Sequence, residues 1–170
     1  RQPSSSTALA TPRSWILLAD ENGYSSELSD RLAETLCARG DMVIQSSATE
    51  TAPLADLLRQ TTSQYGELDG LVHLDGLLAD ADSENADQAL ARQVARCTTA
   101  ANILQACTLA EQSTTCWVIT THAMTRLLPE KTSARAGRSA DSALWGFGRT
   151  LLNEAEPCAV RSIDLETPMA

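Results

Sequence analysis

The sequence predicts an α/β fold: a doubly wound, mainly parallel sheet of five strands covered by helices. Three observations predict it. Short apolar runs alternate with helical patterns along most of the chain. The runs are continuous rather than alternating, as in strands buried on both faces. Hydrophobic residues make up 43% of 170 residues while aromatic residues make up 4%, so one compact core of Leu, Ile, Val and Ala is expected.

Residues 1–13 are rich in Ser, Thr and Pro without periodicity and read as a linker. Trp15–Ala19 (WILLA) is the first strand, followed by a turn at Glu21-Asn22-Gly23. Leu28, Leu32 and Leu36 mark one face of a helix, and Gly40 sits just past its end, where a left-handed cap costs least. Met42–Ile44 starts a second strand. Pro53 suits the first turn of a second helix, whose apolar face is Leu54, Leu57, Leu58 and Tyr65, with Gly66 ending it. Leu71–Leu74 is a third strand. A long helix follows, with Leu90, Val94, Cys97, Ala101 and Leu104 as its apolar stripe. Cys116–Thr120 is a fourth strand. Residues 125–139 read as a loop, a helix carries Leu144, Phe147, Leu151 and Leu152 and stops before Pro157, and Val160–Leu165 is a fifth strand.

The net charge of -9 argues against nucleic acid and anionic membrane surfaces as partners. There is no secretory signal and no apolar run of transmembrane length. Five scattered cysteines suit reduced thiols, and a cytoplasmic location is expected. Because the chain starts at Arg1, a piece of a longer polypeptide is expected.

A doubly wound fold places ligand chemistry at the ends of its strands. A dinucleotide fingerprint needs several glycines after the first strand, so that backbone can approach the pyrophosphate. The stretch from Asp20 to Glu27 has one glycine and three carboxylates. A short-chain reductase pairs a Tyr with a Lys four residues on, but Leu28 and Asp69 follow Tyr24 and Tyr65 at that distance, and Lys131 lies in the loop. His73 and His122 lie in or near strands, and no cysteines have CxxC spacing. Asp80, Asp82 and Glu84 resemble the opening of a calcium loop, yet Asn85 and Ala91 stand where Gly and Glu are needed. No G-x-S-x-G elbow occurs. A phospho-receiver reading draws on Asp20, Glu21, Asp75 and Thr120 or Thr121, but no lysine follows strand five. The cations Arg126, Lys131, Arg135 and Arg138 read mainly as a solvated loop, with a docking patch as the alternative.

Several segments together resemble a known family. They are Trp15–Asp20, Ala38-Arg39-Gly40, Gly70–Leu74 and Cys116–Thr120, and most specifically Ala143–Thr150, then Asn153-Glu154 and Arg161–Leu165. The pattern is similar to the opening, structural half of the ketoreductases of modular polyketide synthases, over about residues 14–166. The resemblance implies a truncated Rossmann-like, short-chain dehydrogenase-like subdomain spanning 14–167. In that family the first half binds no cofactor, and the second carries NADPH and the catalytic Ser, Tyr and Lys. The expectation is therefore a scaffold with no catalytic, cofactor-binding or metal-binding residues, not an enzyme on its own. Its partners would be neighbouring domains of the same synthase: a ketoreductase catalytic half, methyltransferase, dehydratase or enoylreductase. Trp145, Gly146, Gly148 and Arg149 would be a structural signature. Family members usually carry an upstream strand with spaced aromatics, and residues 1–13 contain none, so a pseudo-ketoreductase also fits. The alternatives are an atypical nucleotide-binding oxidoreductase and the phospho-receiver.

Overall fold

A computed structural model describes residues 12–78, 85–123, 141–151 and 158–165. Nine elements alternate along them: β1 (Ser14–Leu18), α1 (Tyr24–Ala38), β2 (Met42–Ser46), α2 (Thr51–Tyr65), β3 (Gly70–His73), α3 (Ala86–Ala110), β4 (Thr115–Thr121), α4 (Ser142–Leu151) and β5 (Ala159–Leu165). All strand pairs are parallel, and the order is β2-β1-β3-β4-β5. The fold is the expected α/β architecture. Chain direction across the sheet reverses between β1 and β3, so the crevice at their carboxyl ends is the place where such sheets bind ligands.

The apolar run of β1 is central because that strand pairs on both edges. Ile16, Leu17 and Leu18 are fully buried, each burial contributing about 1.5–3 kcal/mol. Alternation along the strands splits the core in two. Ile16, Leu18, Leu71, Cys116, Val118 and Val160 face one side, with Leu54 and Leu58 of α2, Ile103 of α3 and Leu144 of α4. Leu17, Val72 and Ile119 face the other, with Leu28 and Leu32 of α1. Three helices therefore cover one face and α1 the other. On this second face Trp15 lies across Gly70, where an added Cβ would collide with the indole ring.

Local signals explain the boundaries. Gly40 and Gly66 adopt the left-handed φ that ends α1 and α2 at low cost. A capping box of Asn85 and Gln88 starts α3. The stripe expected on α3 needs correction: Leu90 and Val94 are 64% and 57% exposed, and the buried face is Arg96, Thr99, Ala100, Ile103, Ala106, Cys107 and Ala110. The helix is rotated because Arg96 has an ionic partner inside, as shown below. Tyr65, expected on the apolar face of α2, is 41% exposed at the helix end. Leu152, Pro157, the acidic run at Asp80, Asp82 and Glu84, and the cations Arg126, Lys131, Arg135 and Arg138 lie outside the described residues.

Thiol exposure tests this packing. Cys37 is exposed, Cys97 half-buried, and Cys107, Cys116 and Cys158 are buried. A thiol probe should label Cys37 fast, Cys97 more slowly, and the other three on unfolding; fast labelling of Cys107 in the native protein would refute the packing of α3 on the sheet.

Candidate functional site at the strand ends

The crevice between β1 and β3 is filled by the chain's own polar side chains. Asp20, two residues past β1, accepts hydrogen bonds through Oδ2 from Ser25 Oγ and from the Gly76 amide at 2.9 Å. Ser25 Oγ also accepts from the Asp20 amide. One carboxylate thus ties the start of α1 to the turn after β3. Asp75 stands beside it and accepts from Thr99 Oγ1 at 3.2 Å. Burial, then the charge of Asp20 and a hydrogen bond to it, raises the Asp75 pKa. Two adjacent carboxylates resist ionising together, which is the physical reason the Asp75 carboxyl holds its proton more tightly than a free one.

Deeper in lies an ionic cluster that joins α3, β4 and α4. Asp141, immediately before α4, is fully buried, and its carbonyl accepts from the Trp145 amide as the first turn closes. Its Oδ1 contacts Arg96 Nη1 at 2.6 Å and Arg92 Nη1 at 3.0 Å. Its Oδ2 accepts from the Thr121 amide at 2.8 Å. Arg96, also fully buried, donates through Nη2 to the Ile119 carbonyl at 2.6 Å. Burial lowers the Arg96 pKa, opposed by the Asp141 charge. His73 is enclosed with them, its Nε2 lying 3.2 Å from the Arg96 carbonyl. Burial, then the neighbouring Arg96 charge, depresses its pKa to about 3, so the ring is neutral.

The residues singled out in the sequence fall into separate places. Asp20, Asp75, Thr120 and Thr121 stand at strand ends as a receiver pocket would place them. Thr120 and Thr121, however, are engaged with Asp164 and Asp141. His73 is in the ionic cluster, whereas His122 is a strand-end residue whose amide donates to the Leu165 carbonyl. Tyr24 opens α1 and Tyr65 closes α2; Lys131 lies outside the described residues. On α4, a Cβ at Gly148 would stand 3.0 Å from Ser162 Oγ of β5, while nothing lies within 4 Å of one at Gly146. Sequence reasoning missed Arg92, Arg96 and Asp141. The available signal was Arg96 in phase with Ala100, Ile103 and Cys107, an apolar stripe that otherwise holds no charge.

A groove of ≈ 260 Å³ opens between the β1–α1 turn and the end of β2. It is lined by Ala19, Asp20, Glu21, Asp30, Gln45 and four serines, Ser26, Ser29, Ser46 and Ser47. Gln45 Nε2 donates to Ser29 Oγ and Asp30 Oδ1 at 3.0 and 2.8 Å. A dinucleotide, which folds of this kind commonly bind, would put its pyrophosphate at this turn. Three carboxylates face it, and Asp20 already spans the approach to α1, so the residues do not fit that group.

No protein-family model and no curated relative matches the sequence. Solved structures do match. A double mutant of a short-chain dehydrogenase/reductase from Serratia marcescens aligns at TM-score 0.55 and 17% identity, over 89% of this chain and 73% of that one. An enoyl-(acyl-carrier-protein) reductase from Anaplasma phagocytophilum, in complex with NAD, aligns at 0.56 and 13%, over 95% and 74%. An A-type ketoreductase from a modular polyketide synthase aligns at 0.58 and 20%, over 92% of this chain and 31% of that one. The fold is Rossmann-like. It is shared with short-chain dehydrogenases and ketoreductases, as the sequence resemblance implied. These matches correct one expectation, that the chain is not an enzyme on its own. These structures, which share its fold over most of its length, are dehydrogenases and reductases, so the fold is one found in oxidoreductases.

Two measurements test the site. Asp141→Asn should cost about 3–5 kcal/mol, because it leaves Arg96 buried without a counter-charge, and adding Arg96→Met should recover most of the loss; equal stability of the single variant and the native protein would refute the ionic cluster. The two shifted pKa values act with opposite sign. For His73, with a folded value of about 3 against 6.5, stability is present above pH 6.5 and lost as pH falls toward 3. For Asp75, raised above 3.8, stability is fully present below that value and lost as pH rises through the folded value. Denaturant titrations should show His73→Asn flattening the acid limb and Asp75→Asn relieving the loss at higher pH.

Proposed function

We propose that this chain works inside a ketoreductase-type oxidoreductase of a modular polyketide synthase, as the half that supports and positions the cofactor-bearing half. The observation that carries the reading is the strand-end crevice. Where Rossmann-like sheets usually receive a ligand, Asp20, Asp75, Arg96 and Asp141 are committed to one another and to the backbone. The alignment with the polyketide ketoreductase supports the context, since nearly all of this chain matches 31% of that longer one. The domain extends over 14–167 in this reading, and its partners are neighbouring domains of the same polypeptide: the other ketoreductase half, with methyltransferase, dehydratase or enoylreductase domains nearby. In this reading Trp145, Gly146, Gly148 and Arg149 of α4 are a structural signature, supported at Gly148, which lies against Ser162 of β5. Among the described residues no helix is long and apolar enough to cross a membrane.

The test is ketone reduction by the parent polypeptide, followed as NADPH oxidation with a β-ketoacyl thioester. Deleting 14–167 should remove most of the activity, and supplying the domain in trans should restore part of it. Full turnover after deletion would overturn the reading. NADPH titration of the isolated chain checks the alternative, a nucleotide-binding oxidoreductase using the turn at 20–27; saturable binding that an Asp20→Ala change alters would favour that alternative.

A further inference from the structure

The second face of the sheet is unevenly covered. Among the described residues α1 alone packs there, against β1 and β2. Val72 of β3 and Ile119 of β4 are buried in one apolar cluster with Leu28 and Leu32 of α1, whereas Trp117, Arg161, Ile163 and Leu165 of β4 and β5 on the same face keep exposed surface among the described residues. Trp15 continues this floor from β1 over Gly70. All-parallel sheets are normally covered on both faces by helices, because each face is an apolar surface too large to leave to water. Here Ile163 is 41% exposed and Trp117 is half-buried.

The charge on this floor narrows the occupant. Arg161 is exposed on β5, and its guanidinium sits 5.3 Å from the centre of the Trp117 ring. Among the described ion pairs, none involves Arg161. A cation held on an aromatic ring keeps its outer edge free for a planar carboxylate, which guanidinium binds in two-pronged fashion.

We infer that the β4–β5 edge of this face is a docking surface for an amphipathic, acidic helix, whose apolar stripe covers Trp117 and Ile163 and whose Asp or Glu pairs with Arg161. The inference rests on the proposed supporting role and names the surface through which that role acts; the helix belongs to a neighbouring domain of the same polypeptide. A helix fits better than a strand, since the floor is a sheet face and the opposite face is covered by helices at the same strands.

The test uses the whole chain and two synthetic helical peptides with the same Leu stripe at i, i+3, i+4 and i+7, one flanked by Glu and one by Lys. Binding is read from Trp fluorescence. The Glu peptide should bind, and Arg161→Glu should weaken it about tenfold while strengthening the Lys peptide. Ile163→Asp should weaken both peptides. Arg161 and Ile163 are exposed, so circular dichroism and the thermal midpoint should stay at native values and separate docking from folding. Absence of binding, or binding indifferent to both substitutions, overturns the inference, as does sedimentation showing that a second copy of the chain occupies the face. The result is separable from the deletion assay: loss of reduction on deletion with no peptide binding removes only the docking surface, whereas charge-dependent binding with full reduction after deletion removes the supporting role and keeps the surface.

Discussion

The contact between Arg96 and Asp141 organises the sheet's upper half. Two opposite charges, both fully buried, cost several kcal/mol each to take out of water, and only their approach at 2.6 Å with the surrounding hydrogen bonds offsets this. The cost sets geometry. Arg96 fixes the rotation of α3, and with it the exposure of Leu90 and Val94. Asp141 fixes the start of α4 and holds the Thr121 amide at the end of β4. His73 and Ile119 then take their places around the arginine. An apolar pair could give equal stability, but it would leave the rotation of a 25-residue helix less sharply specified.

The same chemistry decides what the crevice accepts. A Rossmann-like sheet offers a helix amino terminus at the switch point, which favours anions. In this chain the Asp20 carboxylate takes that position, and the Asp75 pKa is raised beside it. The adjoining groove is lined with carboxylates and hydroxyls and presents acceptors to hydrogen-bond donors. The fold and the site therefore point in different directions: the sheet is that of dehydrogenases and reductases, while the local residues disfavour a phosphate-bearing ligand.

Much of the architecture was legible in the sequence. The run WILLA could only be a strand buried on both faces, and Leu28, Leu32 and Leu36 marked the inward side of α1. Gly40 and Gly66 announced two helix ends through the one backbone region they tolerate better than other residues. What was not legible were long-range polar pairs. Nothing near Arg96 in sequence shows that Asp141 will meet it, so an apolar stripe through Leu90 and Val94 looked the better inward face. Asp20 and Asp75 were visible as acids at strand ends, but their mutual contact depends on β1 and β3 being neighbours. The unequal cover of the two faces likewise follows from strand order, which periodicity does not encode.

The spacing of the ionic cluster also bears on how the chain matures on the ribosome. Arg92 and Asp141 are 49 residues apart, and synthesis proceeds at roughly 5–20 residues per second. For several seconds the arginines of α3 emerge without their counter-charge, while β1, β2 and β3 are already complete. During that interval only the apolar residues Ala100, Ile103, Ala106 and Cys107 favour the native rotation, while Arg96 on the same face opposes it. The arrival of Asp141 supplies the counter-charge, so a slow-translating stretch just before it would lengthen the time for which Arg96 is without it.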